Sequence, residues 1–138
     1  ATQLVFLNLR ENNITESGLL SLVPVLSTLH SLGVLDLSRN KFGSSKGLEG
    51  LARALPSLTS LTDLSLNGNN IGSWDRGFLE LLANLPRCQN LQKLDLCRNR
   101  LGCEGVLSLK DLGCPPNLNW YNVDVRGQNL SSASPQSV

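Results

Sequence analysis

One pattern recurs along the chain and constrains it more than anything else: L-x-x-L-x-L-x-x-N-x-(L/I/F). It runs through Leu4, Leu7, Leu9, Asn12 and Ile14, and again through Leu32, Leu35, Leu37, Asn40 and Phe42. It returns at Leu61, Leu64, Leu66, Asn69 and Ile71, and at Leu91, Leu94, Leu96, Asn99 and Leu101. A degraded fifth copy starts near residue 118: Leu118, Tyr121 and Val123 hold apolar slots, while Arg126 and Gln128 replace the Asn and the last apolar residue. The starts at Leu4, Leu32, Leu61, Leu91 and Leu118 are nearly evenly spaced. A repeat of this length cannot bury its apolar face alone and must stack on its neighbours.

The pattern accounts for an unusual composition. The 138 residues include 31 leucines and 14 asparagines, while aromatics make up only 4%. Side chains alternate along a strand, so motif positions 4 and 6 point to the same side, and a short strand with one buried face follows. The Asn at position 9 falls where the chain leaves that strand. Its amide can both donate to and accept from turn backbone, so stacked copies should form a ladder of buried, satisfied Asn side chains. The second half of each unit reads as helix. Gly18, Gly47, Gly77 and Gly105 are each followed by an apolar stripe: Leu19/Leu22/Leu26, Leu48/Leu51/Leu55, Phe78/Leu81/Leu85, and Val106/Leu109 shifting to Leu112. Pro56, Pro86 and Pro115 lie just past the stripes, where helices should stop. Pro24 lies inside the first stripe and predicts a kink or an early end.

These residues resemble the ribonuclease-inhibitor-like class of leucine-rich repeats, over about residues 3–128. That class includes ribonuclease inhibitor, the sensor regions of NOD-like receptors, the GTPase-activating protein of Ran and the tropomodulin tail. The resemblance implies an α/β fold: a right-handed solenoid or horseshoe, with a parallel sheet on the concave side and helices on the convex side. The domain is expected over 1–130, with repeats starting near 4, 32, 61, 91 and 118. Residues 131–138 are expected to form a flexible tail, because a Ser-rich segment cannot bury a core.

Several function classes have no support. The net charge is +1 and no basic or acidic run exists, so there is no electrostatic case for nucleic acid or an anionic membrane. No apolar stretch approaches the length that a membrane-spanning helix needs. The first residues, ATQLVFLNLR, lack the basic and continuous apolar regions of a signal peptide. Cys88, Cys97, Cys103 and Cys114 form no C-x-x-C pair, so free thiols in a reducing, cytoplasmic setting are expected rather than a zinc site. A lowered thiol pKa is conceivable at Cys97, which is close in sequence to Arg98 and Arg100. The single histidine, His30, has no nucleophile–acid arrangement around it. Asp36 and Asp95 are two repeats apart, about 10 Å by strand spacing, wider than a glycosidase pair. Asn13-Ile14-Thr15 and Asn129-Leu130-Ser131 match glycosylation sequons but arise readily by chance in this composition. No enzyme, cofactor or metal is expected.

What remains is a protein-binding surface. Positions 3, 5 and 7 are expected to face the concave side. They supply Phe6, Asn8, Arg10, Val34, Asp36, Asp63, Asn67, Lys93, Asp95, Trp120 and Asn122 as candidate contacts. The spacing from Asn to the helix glycine grows from Asn12–Gly18 through Asn40–Gly47 to Asn69–Gly77, then shortens at Asn99–Gly105. Extra length therefore collects in the loop after the strand. That loop edge offers Lys46, Trp74 and Arg76 as a second candidate surface. Asn12, Asn40, Asn69 and Asn99 are assigned a structural role. The first strand motif has no polar cap before it. That predicts part of a longer array or, as the alternative, self-association through the N-terminal edge. The function expected is a non-catalytic protein-interaction module acting as a scaffold or ligand sensor, the alternatives being an enzyme regulator or a self-associating module.

Overall fold

The computed structural model describes residues 3–43, 46–73, 75–111, 123–124 and 126–127. In chain order the elements are β1 (Phe6–Asn8), α1 (Glu16–Leu26), β2 (Val34–Asp36), α2 (Lys46–Ala54), β3 (Asp63–Ser65), α3 (Arg76–Asn84), β4 (Lys93–Asp95), α4 (Gly102–Asp111) and β5 (Val123–Asp124). Short 3-10 turns at Leu55–Ser57 and Leu85–Arg87 follow α2 and α3. All five strands pair in parallel, in the order β1-β2-β3-β4-β5. The register aligns motif position 4 of successive copies: Leu7 with Leu35, Leu35 with Leu64, Leu64 with Leu94. The chain therefore folds as an open parallel solenoid, with a helix carrying each unit back to the next strand.

The strands are short because each unit offers only one alternation to the core. Leu35, Leu37, Leu64, Leu66, Leu94 and Leu96 are buried on one side of the sheet. The helix stripes meet them: Leu19, Leu26, Leu48, Leu51, Leu55, Phe78, Leu81, Leu85 and Leu109 are all buried. Thr15 starts α1, its Oγ1 accepting from the Gly18 N–H at 3.3 Å. Pro56 and Pro86 open the 3-10 turns, where a missing N–H costs nothing. Pro24 departs from expectation, because α1 runs through it to Leu26. It stands in the last turn, so only the bond to the Leu20 carbonyl is lost, and Leu20 is on the exposed side of the helix. The helices pack closely enough that a Cβ on Gly47 would lie 2.6 Å from the Glu16 carbonyl oxygen. That contact with backbone is why position 47 is glycine.

The asparagine ladder forms as the chemistry requires. Asn40 Oδ1 accepts from the Asn12 and Ile14 N–H groups of the preceding unit, at 2.9 and 3.0 Å. Its Nδ2 donates to the Leu9 and Leu37 carbonyls at 3.0 and 2.9 Å. Asn99 repeats the arrangement on Asn69 N–H, Ile71 N–H and the Leu66 and Leu96 carbonyls. Asn69 accepts from the Asn40 N–H at 3.0 Å and donates to the Leu37 carbonyl at 3.0 Å. Each Asn thus reaches back one unit, and Asn40, Asn69 and Asn99 are buried. Asn12 is placed differently among the described residues: it is exposed, and its amide donates to the Arg10 carbonyl at 3.1 Å.

Two features of the turns escaped the sequence pattern. Position 8 is left-handed in every copy: Glu11, Arg39 and Arg98 at φ 56, Gly68 at 66 and Gly127 at 72. The next left-handed residue alternates. It is position 10 in copies one and three (Asn13, Asn70) and the glycine at position 12 in copies two and four (Gly43, Gly102). The added parallel bridges alternate likewise, Thr15 with Lys41 and Gly72 with Arg100. The structural period is therefore two units.

The fifth copy needs a different register. Val123 pairs with Leu94 and Asp124 with Asp95, and the Arg98 N–H donates to the Arg126 carbonyl at 2.8 Å. Val123 therefore stands at position 4, not 6, and the left-handed Gly127 at position 8. The motif numbering then starts at Trp120 instead of Leu118, which matches the spacing of the inner copies. Leu118, Trp120, Tyr121, Asn122 and the expected tail 131–138 themselves lie outside the described residues.

Candidate functional site

The solvent face of the sheet carries positions 3 and 5, alternating with the leucines that face the helices. Phe6, Val34, Asp36, Asp63, Ser65, Lys93 and Asp95 line one groove across β1–β4, of about 450 Å³. Its two ends differ. Phe6 is 57% exposed and stands in register with Val34, giving an apolar end. Asp36, Asp63 and Asp95 give an acidic stretch over β2, β3 and β4, with the exposed Lys93 beside Asp63 on the neighbouring strand. Asn8, at position 5 of β1, is also exposed. The structure thus brings together seven of the expected concave residues: Phe6, Asn8, Val34, Asp36, Asp63, Lys93 and Asp95.

Position 5 is polar for a structural reason as well. Asn8, Asp36 and Asp95 each accept, through Oδ1, the N–H two residues on: Arg10 at 3.0 Å, Ser38 at 2.9 Å and Cys97 at 2.9 Å. These side-chain turns end the strands. Asp36 also accepts from the Ser38 hydroxyl. Asp95 Oδ2 accepts from Asn67 Nδ2 at 3.3 Å, and Asp63 Oδ1 accepts from the Thr62 hydroxyl at 2.9 Å. No hydrogen bond of the second oxygen of Asp36 or Asp63 is seen among the described residues.

Position 7 does not join the groove in the inner units. Ser38, Asn67 and Cys97 are buried, whereas Arg10 and Arg126, in the first and last copies, are exposed; Arg10 donates to the Ser38 hydroxyl at 3.1 Å. The buried position-7 side chains lie between units: the Ser38 hydroxyl donates to Asp36, and Asn67 donates to Asp95 of the next unit. Asn67 is therefore a brace for Asp95 and not an accessible contact. Cys97 is likewise buried. Burial pushes the Cys88 thiol up to about 11, with the Arg87 charge opposing. At Cys88 burial outweighs the neighbouring cation.

Charge is segregated in a way the linear sequence hides. Positions 3 and 5 of the first four copies hold Asp36, Asp63 and Asp95 against one cation, Lys93. Positions 7 to 10, the rim where the strands end, hold Arg10, Arg39, Lys41, Arg98, Arg100 and Arg126 against one acid, Glu11. All six rim cations are exposed, and Glu11 pairs with Arg39 at 3.3 Å. A chain of net charge +1 therefore presents an acidic face beside a basic rim.

The loop-edge candidates are placed differently from expectation. Lys46 and Arg76 are the first residues of α2 and α3, both exposed, and Arg76 Nε lies 3.9 Å from Glu49. Glu49 and Glu80 flank Arg53 at 2.7 and 3.2 Å, so the helix side carries its own exposed ion network. Trp74 lies outside the described residues. His30 Nδ1 lies 3.2 Å from the Ser57 carbonyl oxygen, bracing one connection against the next. Among the described residues, no group of three or more His, Cys, Asp or Glu is placed to hold a metal ion. No described helix is long and apolar enough to cross a membrane.

Repeated parallel strands, an asparagine ladder and helical returns define a leucine-rich-repeat region. A family model described as Leucine Rich repeat matches residues 2–23, 57–73 and 87–110. The chain is 35% identical to Toll-like receptor 7 of Drosophila melanogaster over 89 residues, 64% of this chain and 6% of that protein. It is 30% identical to leucine-rich repeat-containing protein 45 of Gallus gallus over 93 residues, 67% of this chain and 14% of that protein. It is 47% identical to Tonsoku-like protein of Mus musculus over 62 residues, 45% of this chain and 4% of that protein. The matches thus span only a small part of each of these relatives.

Proposed function

We propose that this leucine-rich-repeat region is a non-catalytic protein-interaction module whose partner lies on the sheet face. One observation carries the reading. Phe6, Val34, Asp63 and Lys93 sit at positions where the fold needs no particular side chain, yet they line one groove with sharply different chemistry along it. Phe6 is 57% exposed and adjoins Val34 in register, so the groove has an apolar end that a partner can cover. Helical returns of 9 to 11 residues in each unit support the ribonuclease-inhibitor-like class. A scaffold or ligand-sensing role in a longer protein fits best, and the receptor among the relatives supports it by name.

The test compares faces. The chain is used as bait with Val34→Glu and Asp95→Lys on the sheet face, and Arg53→Glu on the helix face. Partners recovered by wild type should be lost with either sheet-face variant and kept with the helix-face variant. The opposite pattern refutes the reading, provided circular dichroism shows all three variants folded.

A further inference from the structure

We infer that the groove selects an extended segment that sets an apolar side chain two or three residues from an arginine or lysine. The inference rests on the sheet-face reading above and adds the chemistry of the partner. The apolar seat lies between Phe6 and Val34, on β1 and β2. The cation seat lies between Asp36 on β2 and Asp63 on β3, whose second oxygens make no hydrogen bond among the described residues. Strand neighbours are about 4.8 Å apart, so the two seats are separated by roughly 5–10 Å. An extended chain rises about 3.3 Å per residue and crosses that gap in two or three residues.

Charge complementarity favours this occupant over an acidic or neutral one. The chain's own cations could have neutralised the groove, but six of its twelve lie on the strand-exit rim instead. Among the described residues, Asp36, Asp63 and Asp95 make no ion pair. Lys93 marks the far limit of the cation seat, because a basic side chain moved further toward β4 meets a like charge. The rim has a second effect: exposed Arg10 disfavours a basic segment that enters past the strand ends, which favours a path across the strands along the groove.

A displayed library of linear heptapeptides, selected on the full chain, tests this. The selected peptides should carry Arg or Lys two or three residues from Leu or Phe. Synthetic copies should bind about tenfold more weakly to the Asp36→Asn, Asp63→Asn double variant, and more tightly to Lys93→Glu. Asparagine keeps the turn bond at position 5, as Asn8 does, so the double variant should stay folded. Binding should weaken several-fold between 50 and 300 mM salt. Peptides that lose binding to Val34→Glu but show no basic preference would overturn the inference while leaving the sheet-face reading intact. Peptides indifferent to Val34→Glu, or none at all, would overturn both.

Discussion

At the level of single residues, the same amide does different work in different copies. Asn69 serves three backbone groups in a buried turn, the Asn40 N–H and the Leu37 and Asn67 carbonyls. Asn69→Ala should cost about 2–4 kcal/mol in urea unfolding, since each orphaned buried group costs about 1–3. Asn12→Ala should cost under about 0.5 kcal/mol, because its side chain is exposed. Arg98 holds φ 56 where two other copies have glycine. Arg98→Gly should raise the unfolding free energy by about 0.5–1 kcal/mol, by relieving left-handed strain. Cys103 is exposed and Cys88 buried, so alkylation of the native protein at pH 8 should label Cys103 and spare Cys88. Because the folded pKa of Cys88 is raised from 9.0 to about 11, its contribution to stability is complete below pH 9. It is lost between pH 9 and about 11, as the unfolded thiol ionises first. The buried Asn role was legible from spacing, because the motif puts an amide at each strand exit. Arginine in a left-handed turn was not, since arginine carries no signal for positive φ.

At the level of elements, the strands are strongly determined and their ends are not. Leu64 pairs with Leu35 and Leu94 at the centre of the sheet and is 2% exposed. Leu64→Asp should abolish the cooperative unfolding transition seen by circular dichroism, because the carboxylate would be buried without a partner. Helix positions followed from the apolar stripes, and the ends of α2 and α3 from Pro56 and Pro86 just beyond them. The early end expected at Pro24 failed because a missing hydrogen bond in a last turn is cheap. Lys46 and Arg76 were read as loop residues because the stripe starts only after the glycine, yet both helices begin one residue before it. The register of the fifth copy slipped by two because Leu118 and Tyr121 imitate the motif at the same alternation. Pairing with β4 alone distinguishes the two alignments.

For the whole molecule, stability is a sum of units and the contacts between neighbours. In the first unit Leu4 is exposed and Leu7, Leu9 and Ile14 are only half-buried, whereas the corresponding leucines of units two to four are buried. Amide hydrogen exchange should therefore be faster in β1 and α1 than in β2, α2 and β3, whose openings must break contacts on both sides. Equal protection throughout would contradict this ordering. Charge behaves differently at this scale. No run of like charge exists in the chain, yet stacking the units collects Arg10, Arg39, Arg98 and Arg126 on one rim and the aspartates on one face.

The sequence alone determined the solenoid, since a period-2 leucine pair, an asparagine and a helical stripe can all be satisfied only by stacking copies in parallel. It also determined most of the sheet-face residues, because alternation on a strand leaves them no other side. Tertiary structure decided which of these remain accessible. Asn67 and Cys97 are buried between units, where Asn67 donates to Asp95 of the next strand. It also decided where charges meet, because side chains a whole repeat apart in sequence become neighbours about 5 Å apart across the sheet.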